Sequence, residues 1–164
     1  MSAIPELLAA NRRYVERFDR ADLPKEPARR VAILTCMDAR LVPSRFLGLE
    51  EGDAHVISNA GGRATEDALR SLIISYKLLG TQEMLVIHHS DCGAMSVDNR
   101  ALWERLRRET GADASEIDFL PFRDLDASVR EDVAAIRDSP LIPLTIQVRG
   151  FVYDVATGAL REVD

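Results

Sequence analysis

The chain has 164 residues, 46% hydrophobic and 29% charged, a composition that suits a single globular domain with enough apolar material for a core. A net charge of −6 argues against a nucleic-acid binder or a protein of the membrane surface. No apolar run approaches the roughly 20 residues needed to span a bilayer, and the N-terminus lacks a basic segment leading into an apolar one, so no membrane span or secretory signal is expected.

In chain order, residues 2–19 read as an amphipathic helix, with Ile4, Leu7, Leu8, Val15 and Phe18 on one face. A linker with two prolines, Pro24 and Pro27, follows. Residues 1–22 therefore form an N-terminal helical arm that needs a surface to cover, on its own domain or on a second copy. Val31 to Thr35 is apolar throughout, as expected of a strand buried on both faces of a parallel sheet. Residues 54–58, 84–88 and 145–149 supply three more strands. Between the second and third, Thr65 caps a helix that carries Leu69, Leu72, Ile73 and Tyr76 on one face and stops at Gly80. Two further helices precede the fourth strand. One runs from Ser96 to Glu109, and the other opens with the capping box Ser128-x-x-Glu131 and ends before Pro140. The tail, Phe151 to Asp154, then Thr157-Gly158, then Leu160-Arg161, reads as an antiparallel hairpin. This alternation predicts an α/β fold: a mostly parallel β-sheet flanked by helices, with an antiparallel C-terminal edge and the N-terminal arm, in one domain over 1–164.

Chemistry concentrates at two strand ends. Cys36-Met37-Asp38-Ala39-Arg40 follows the first strand and His89-Ser90-Asp91-Cys92-Gly93 the third. In open α/β sheets, sites form beyond the carboxyl ends of the strands where strand order reverses. Cys36, His89 and Cys92 can meet there if those two strands are neighbours. Singly, each has a plain structural explanation, since cysteine packs as a small hydrophobe and histidine is common in cores. Jointly, two thiolates and one imidazole suit a single Zn²⁺ per chain and leave one tetrahedral position open, as in a catalytic site. The cytoplasm is the default compartment, and there these two cysteines stay reduced. Asp38 and Arg40, two residues apart, point the same way in extended chain and can pair bidentately. Arg40 would keep Asp38 ionised, and Asp38 would accept a hydrogen bond from the activated water. His88 should face away from His89, and His55 reads as structural.

These strings resemble the β-class carbonic anhydrases, in which a Cys-x-Asp-x-Arg motif precedes a later His-x-x-Cys. Asn59-Ala60-Gly61-Gly62 is similar to that family's turn after its second strand, and Thr65 to Leu72 to the helix that follows. Ser139-Pro140-Leu141-Ile142-Pro143 resembles a later part, so the likeness covers about residues 30 to 160 and is closest to the short prokaryotic branch. One departure is Ser58, where relatives commonly carry a basic residue. The resemblance implies Cys36, His89 and Cys92 as zinc ligands, with Asp38 a fourth ligand in a closed resting form of some relatives, and Asp38 with Arg40 as the catalytic dyad. It implies reversible hydration of carbon dioxide to bicarbonate and a proton, by a homodimer or dimer-based oligomer. Hydrolysis of carbon disulfide or carbonyl sulfide would use the same site. A non-catalytic zinc or redox-sensing module would use Cys36 and Cys92 without needing the dyad.

Overall fold

The computed structural model describes residues 2–164; Met1, the first residue of the expected arm, lies outside the described residues. Its elements are α1 (Ile4–Val15), β1 (Val31–Cys36), α2 (Pro43–Phe46), β2 (Ala54–Asn59), α3 (Glu66–Leu79), β3 (Glu83–His89), α4 (Asn99–Thr110), α5 (Leu125–Arg137), β4 (Gln147–Tyr153) and β5 (Leu160–Val163). The strands form one mixed sheet in the order β2-β1-β3-β4-β5. All pairs are parallel except β4 with β5, the antiparallel edge the tail predicted. From β1 the chain steps outward to β2 and then back across to β3. The reversal that opens a crevice therefore lies between β1 and β3.

The β1 run is buried from Ala32 to Cys36, as its unbroken apolar character requires. On one face of the sheet, Ala32, Leu34, Met84, Val86, Val148 and Val152 form the main core with Ala68 and Leu72 of α3 and Val129, Val133 and Ile136 of α5. The opposite face is covered more thinly. There Ile33, Leu85 and Phe151 line a groove with Leu47 and Leu49. No residue of α1 is buried, and Ile4, Leu7, Leu8, Val15 and Phe18 all stay exposed. Among the described residues no helix is long and apolar enough to cross a membrane.

Several boundaries differ from the sequence expectation. Helix α1 is shorter at both ends than 2–19. Helix α4 starts at Asn99, because the Asp98 side chain accepts from the backbone N–H of Ala101 (2.8 Å), and a 3₁₀ turn takes up Gly93–Ser96. Helix α5 begins a turn before the capping box, since Asp124 caps it through the Ala127 N–H (2.9 Å). Strand β4 runs straight through Gly150, so residues 151–153 both continue it and form the first arm of the expected antiparallel hairpin with β5. A Cβ at Gly150 would collide with Val129 and lie 3.0 Å from Val133 Cγ2; the missing side chain lets α5 sit directly on β4. Helix α3 follows the sequence closely, with Thr65 accepting from the Ala68 N–H and Gly80 left-handed at its end.

Candidate metal centre

Strand β1 ends at Cys36 and β3 at His89, side by side in the sheet, and the next loop brings back Cys92. The three candidate ligand atoms lie within 4.8 Å of one another, and all three residues are buried. The two sulfurs are 4.0 Å apart, so the thiols are free. Two sulfurs on one tetrahedral zinc, each at about 2.3 Å, stand about 3.8 Å apart. The observed spacing fits a shared ion.

His89 is poised for the same purpose. Its Nδ1 donates to the Ser90 carbonyl (2.9 Å), which fixes the tautomer and leaves Nε2 with a bare lone pair. That Nε2 is buried and has no hydrogen-bond partner. An orphaned buried acceptor beside two thiols is a strained arrangement for a protein alone and a natural one around a cation. The protons behave accordingly. Hydrogen bonding from Cys92 pulls the Cys36 thiol well below its ordinary value against the pressure of burial, with His89 adding to the pull. The same bond, with burial, raises Cys92. Burial pushes His89 down, yet the neighbouring Cys36 sulfur and its thiolate charge outweigh this and raise it. The pair thus favours one thiolate over two, and a bound cation would favour the second, since metal binding draws protons off its thiol ligands.

Asp38 and Arg40 pair bidentately, as predicted: Nε donates to Oδ1 (2.9 Å) and Nη2 to Oδ2 (2.8 Å). The route differs from the expected extended chain. Residues 38–41 form a turn closed by the Leu41 N–H to the Asp38 carbonyl, and the Arg40 backbone N–H also donates to Oδ1 (2.9 Å). Those side-chain and backbone bonds from Arg40 hold the Asp38 carboxyl far below the usual carboxylate range. Its Oδ2 stands 3.8 Å from His89 Nε2, at the edge of the sulfur and imidazole cluster.

A cleft of about 300 Å³ opens onto Cys36, Asp38 and Cys92, and its other walls are mostly apolar: Met37, Ala60, Ala94, Val97, Leu102 and Phe119. The Asn59–Gly62 turn backs it. Gly62 has φ +71°, and a Cβ there would meet the Cys36 backbone nitrogen at 2.9 Å, so only glycine lets this turn press against Cys36. The turn is held from behind by charges that local sequence patterns did not reveal. Buried Asp132 accepts from the Ala64 N–H (2.9 Å), and its other oxygen stands 2.8 Å from Arg63 Nε and 3.0 Å from His88 Nε2. That oxygen makes no aligned hydrogen bond to either group; with Arg63 it forms an ion pair, and the aligned bond of His88 Nε2 goes to the Gly62 carbonyl (3.2 Å). His88 faces away from the ligand cluster as expected, with Nδ1 on Ser128 Oγ (2.8 Å). His55 bonds Ser75 (2.7 Å) and stands apart from the cluster. Asp91 was missed as well: its carboxylate accepts from Arg40 Nη1 (2.8 Å).

Comparison with known proteins agrees with this geometry. Residues 31–160 match the family described as carbonic anhydrase. The chain is 41% identical over 165 residues to β-carbonic anhydrase 1 of Mycobacterium tuberculosis, covering 99% of each chain. The crystal structure of a carbonic anhydrase from Streptococcus mutans superposes with a TM-score of 0.95 at 51% identity, covering 100% of this chain and 99% of that one. A carbon disulfide hydrolase of Acidithiobacillus thiooxidans is 33% identical over 153 residues, covering 81% of this chain and 76% of that one. The β class uses zinc, and the Cys36, His89 and Cys92 cluster is positioned for such an ion. The chain belongs to the carbonic anhydrase family, in its β class.

Proposed function

We propose that this protein hydrates carbon dioxide reversibly to bicarbonate and a proton, with one zinc per chain held by Cys36, His89 and Cys92 and with Asp38 and Arg40 as the catalytic dyad. The observation that carries the reading is the bare Nε2 of His89 beside two sulfurs, with an ionised, doubly held carboxylate 3.8 Å away. Zinc held by these residues would supply the Lewis acidity that lowers the pKa of water and makes it a nucleophile. The protein supplies the rest. Arg40 fixes the Asp38 carboxylate, and Asp38 can only accept a hydrogen bond, because Arg40 keeps it ionised. It therefore aims the proton of the attacking water toward itself and the lone pair toward carbon. Carbon dioxide is small, linear and uncharged, which suits the apolar cleft walls, and the proton released leaves through that opening to buffer.

Hydrolysis of carbon disulfide is the second reading, favoured by the 33% identity to a carbon disulfide hydrolase. A stopped-flow assay of carbon dioxide hydration, run beside an assay for sulfide released from carbon disulfide, separates the two. Rapid hydration with little sulfide is the expected result; the reverse would replace the first reading by the second. A zinc or redox-sensing module has less support, since it has no use for the Asp38–Arg40 pair.

The protein works as a homodimer or dimer-based oligomer in the cytoplasm, as one domain over 1–164 whose arm, residues 1–22, covers a second copy. Support comes from the exposed apolar face of α1 and the thinly covered sheet groove. Full-length protein sedimenting as a monomer at micromolar concentration would contradict it.

A further inference from the structure

The two oxygens of Asp38 are not held alike. Oδ1 receives two bonds, from Arg40 Nε and from the Arg40 backbone N–H. Oδ2, the oxygen that faces the ligand cluster, receives one, from Arg40 Nη2. The direction of Oδ2 therefore depends on where Nη2 is held, and Asp91 holds it. The Asp91 carbonyl accepts from Nη2 (2.9 Å) and its carboxylate accepts from Nη1 (2.8 Å), a two-point grip on the far edge of the guanidinium. A guanidinium gripped on both edges cannot twist about its Nε–Cζ bond without breaking a bond on each side.

The backbone is shaped to make that grip. Asp91 lies in the left-handed region, with φ 54°, a conformation that Asp and Asn tolerate better than most residues. The loop around it is anchored to the end of β4, through the Ser90 N–H to the Tyr153 carbonyl (3.0 Å) and the Val155 N–H to Ser90 Oγ (3.0 Å). Asp91 itself sits between the ligands His89 and Cys92. The loop that delivers two candidate ligands is thus the same loop that fixes the arginine of the dyad.

We propose that Asp91 is a positioning residue for the hydration reaction, locking Arg40 and through it aiming Asp38 Oδ2 at the metal cluster. The inference rests on the proposed function, because Asp38 matters to the rate only if water is activated there. The Asp91 side chain is 79% exposed, so its ion pair adds little to folding stability and its variants should fold. Its contribution is orientation.

The test uses the zinc-loaded full-length protein with Asp91→Asn and Asp91→Gly. Asn keeps the left-handed backbone and removes the charge; Gly relieves the backbone and removes the side-chain half of the grip, leaving only the carbonyl of residue 91 on Nη2. Both should lower kcat by roughly three- to tenfold with KM nearly unchanged and zinc content intact. In ¹⁵N NMR, the Arg40 side-chain Nε–H, identified by its loss in Arg40→Gln, should exchange with solvent several-fold faster in both variants. In an Arg40→Gln background, Asp91→Asn should have no further effect on kcat. Full activity in Asp91→Gly would mean that the residue serves only the loop conformation. An equal loss in the Arg40→Gln background would mean that it does not act through Arg40, and either result overturns the proposal. An inactive wild type would sink the function and the catalytic half of this inference together. An active wild type with Arg40 equally protected in Asp91→Asn would sink this inference alone.

Discussion

At the residue scale, the site is a contest between what each group prefers alone and what its neighbours allow. Buried thiols keep their protons, yet Cys36 is pulled toward thiolate because Cys92 and His89 both stabilise the charge. Carboxylates beside a sulfur cluster should be repelled, yet Asp38 stays ionised because Arg40 gives it three hydrogen bonds. This division assigns different outcomes to different substitutions. Asp38→Ala should leave zinc bound and lower kcat/KM by about 100-fold, since it removes orientation and not ligation. Parallel metal analysis and stopped-flow hydration check this, and an unchanged rate would refute the dyad. Gly62→Ala should cost about 1–3 kcal/mol of stability and weaken zinc binding, because a side chain at positive φ is strained and its Cβ meets the Cys36 backbone. Denaturant unfolding and zinc retention against a chelator measure the two effects. Wild-type values in both would show that the turn yields without disturbing Cys36.

At the scale of elements, the sequence carried the strands and the positions of the candidate ligands but not the pairings between distant elements. The run Val31 to Thr35 is legible because burial on both faces demands continuous apolar residues, and Cys36 at its end followed directly. Helix α3 is legible because its cap, apolar face and terminal glycine all agree. The start of α5 was misplaced because Ser128-x-x-Glu131 has the form of a capping box while Ser128 in fact bonds His88 and the Leu125 carbonyl. Local pattern cannot show that a serine has a buried partner forty residues away. For the same reason Asp91 and the Asp132–Arg63–His88 group were missed: their partners come from other elements, and no spacing rule links them. Gly150 falls between the expected fourth strand, 145–149, and the expected hairpin from Phe151, and the crowding of Val129 and Val133 makes it a contact point inside one continuous strand. Gly150→Ala should therefore destabilise by about 1–3 kcal/mol through overpacking of α5 on β4. Urea denaturation tests this, and a neutral result would mean that α5 can slide outward.

At the scale of the whole molecule, the parallel part of the sheet gathers the candidate-ligand loops at one end, while paired surface carboxylates contribute to the response to acid. The hydrogen bond from Arg161 lowers Asp126, and that from Arg149 lowers Glu162. Groups whose folded pKa is depressed add stability above their unfolded value, about 4, and lose it as pH falls through the folded value. The melting temperature should accordingly hold between pH 7 and 5 and fall below about pH 4, and Asp126→Asn should flatten part of that fall. An Asp126→Asn protein with the wild-type acid slope would show that this pair contributes nothing to it. The more basic question is whether the three residues gathered at the carboxyl ends of β1 and β3 hold a catalytic zinc. The most direct measurement titrates zinc into metal-depleted protein and follows bound metal and carbon dioxide hydration together, for the wild type and for Cys92→Ala. The wild type should gain activity in proportion to zinc and level off at one ion per chain, and Cys92→Ala should gain neither tight metal nor activity. Full zinc occupancy in Cys92→Ala, or hydration that persists in the metal-depleted wild type, would contradict the assignment.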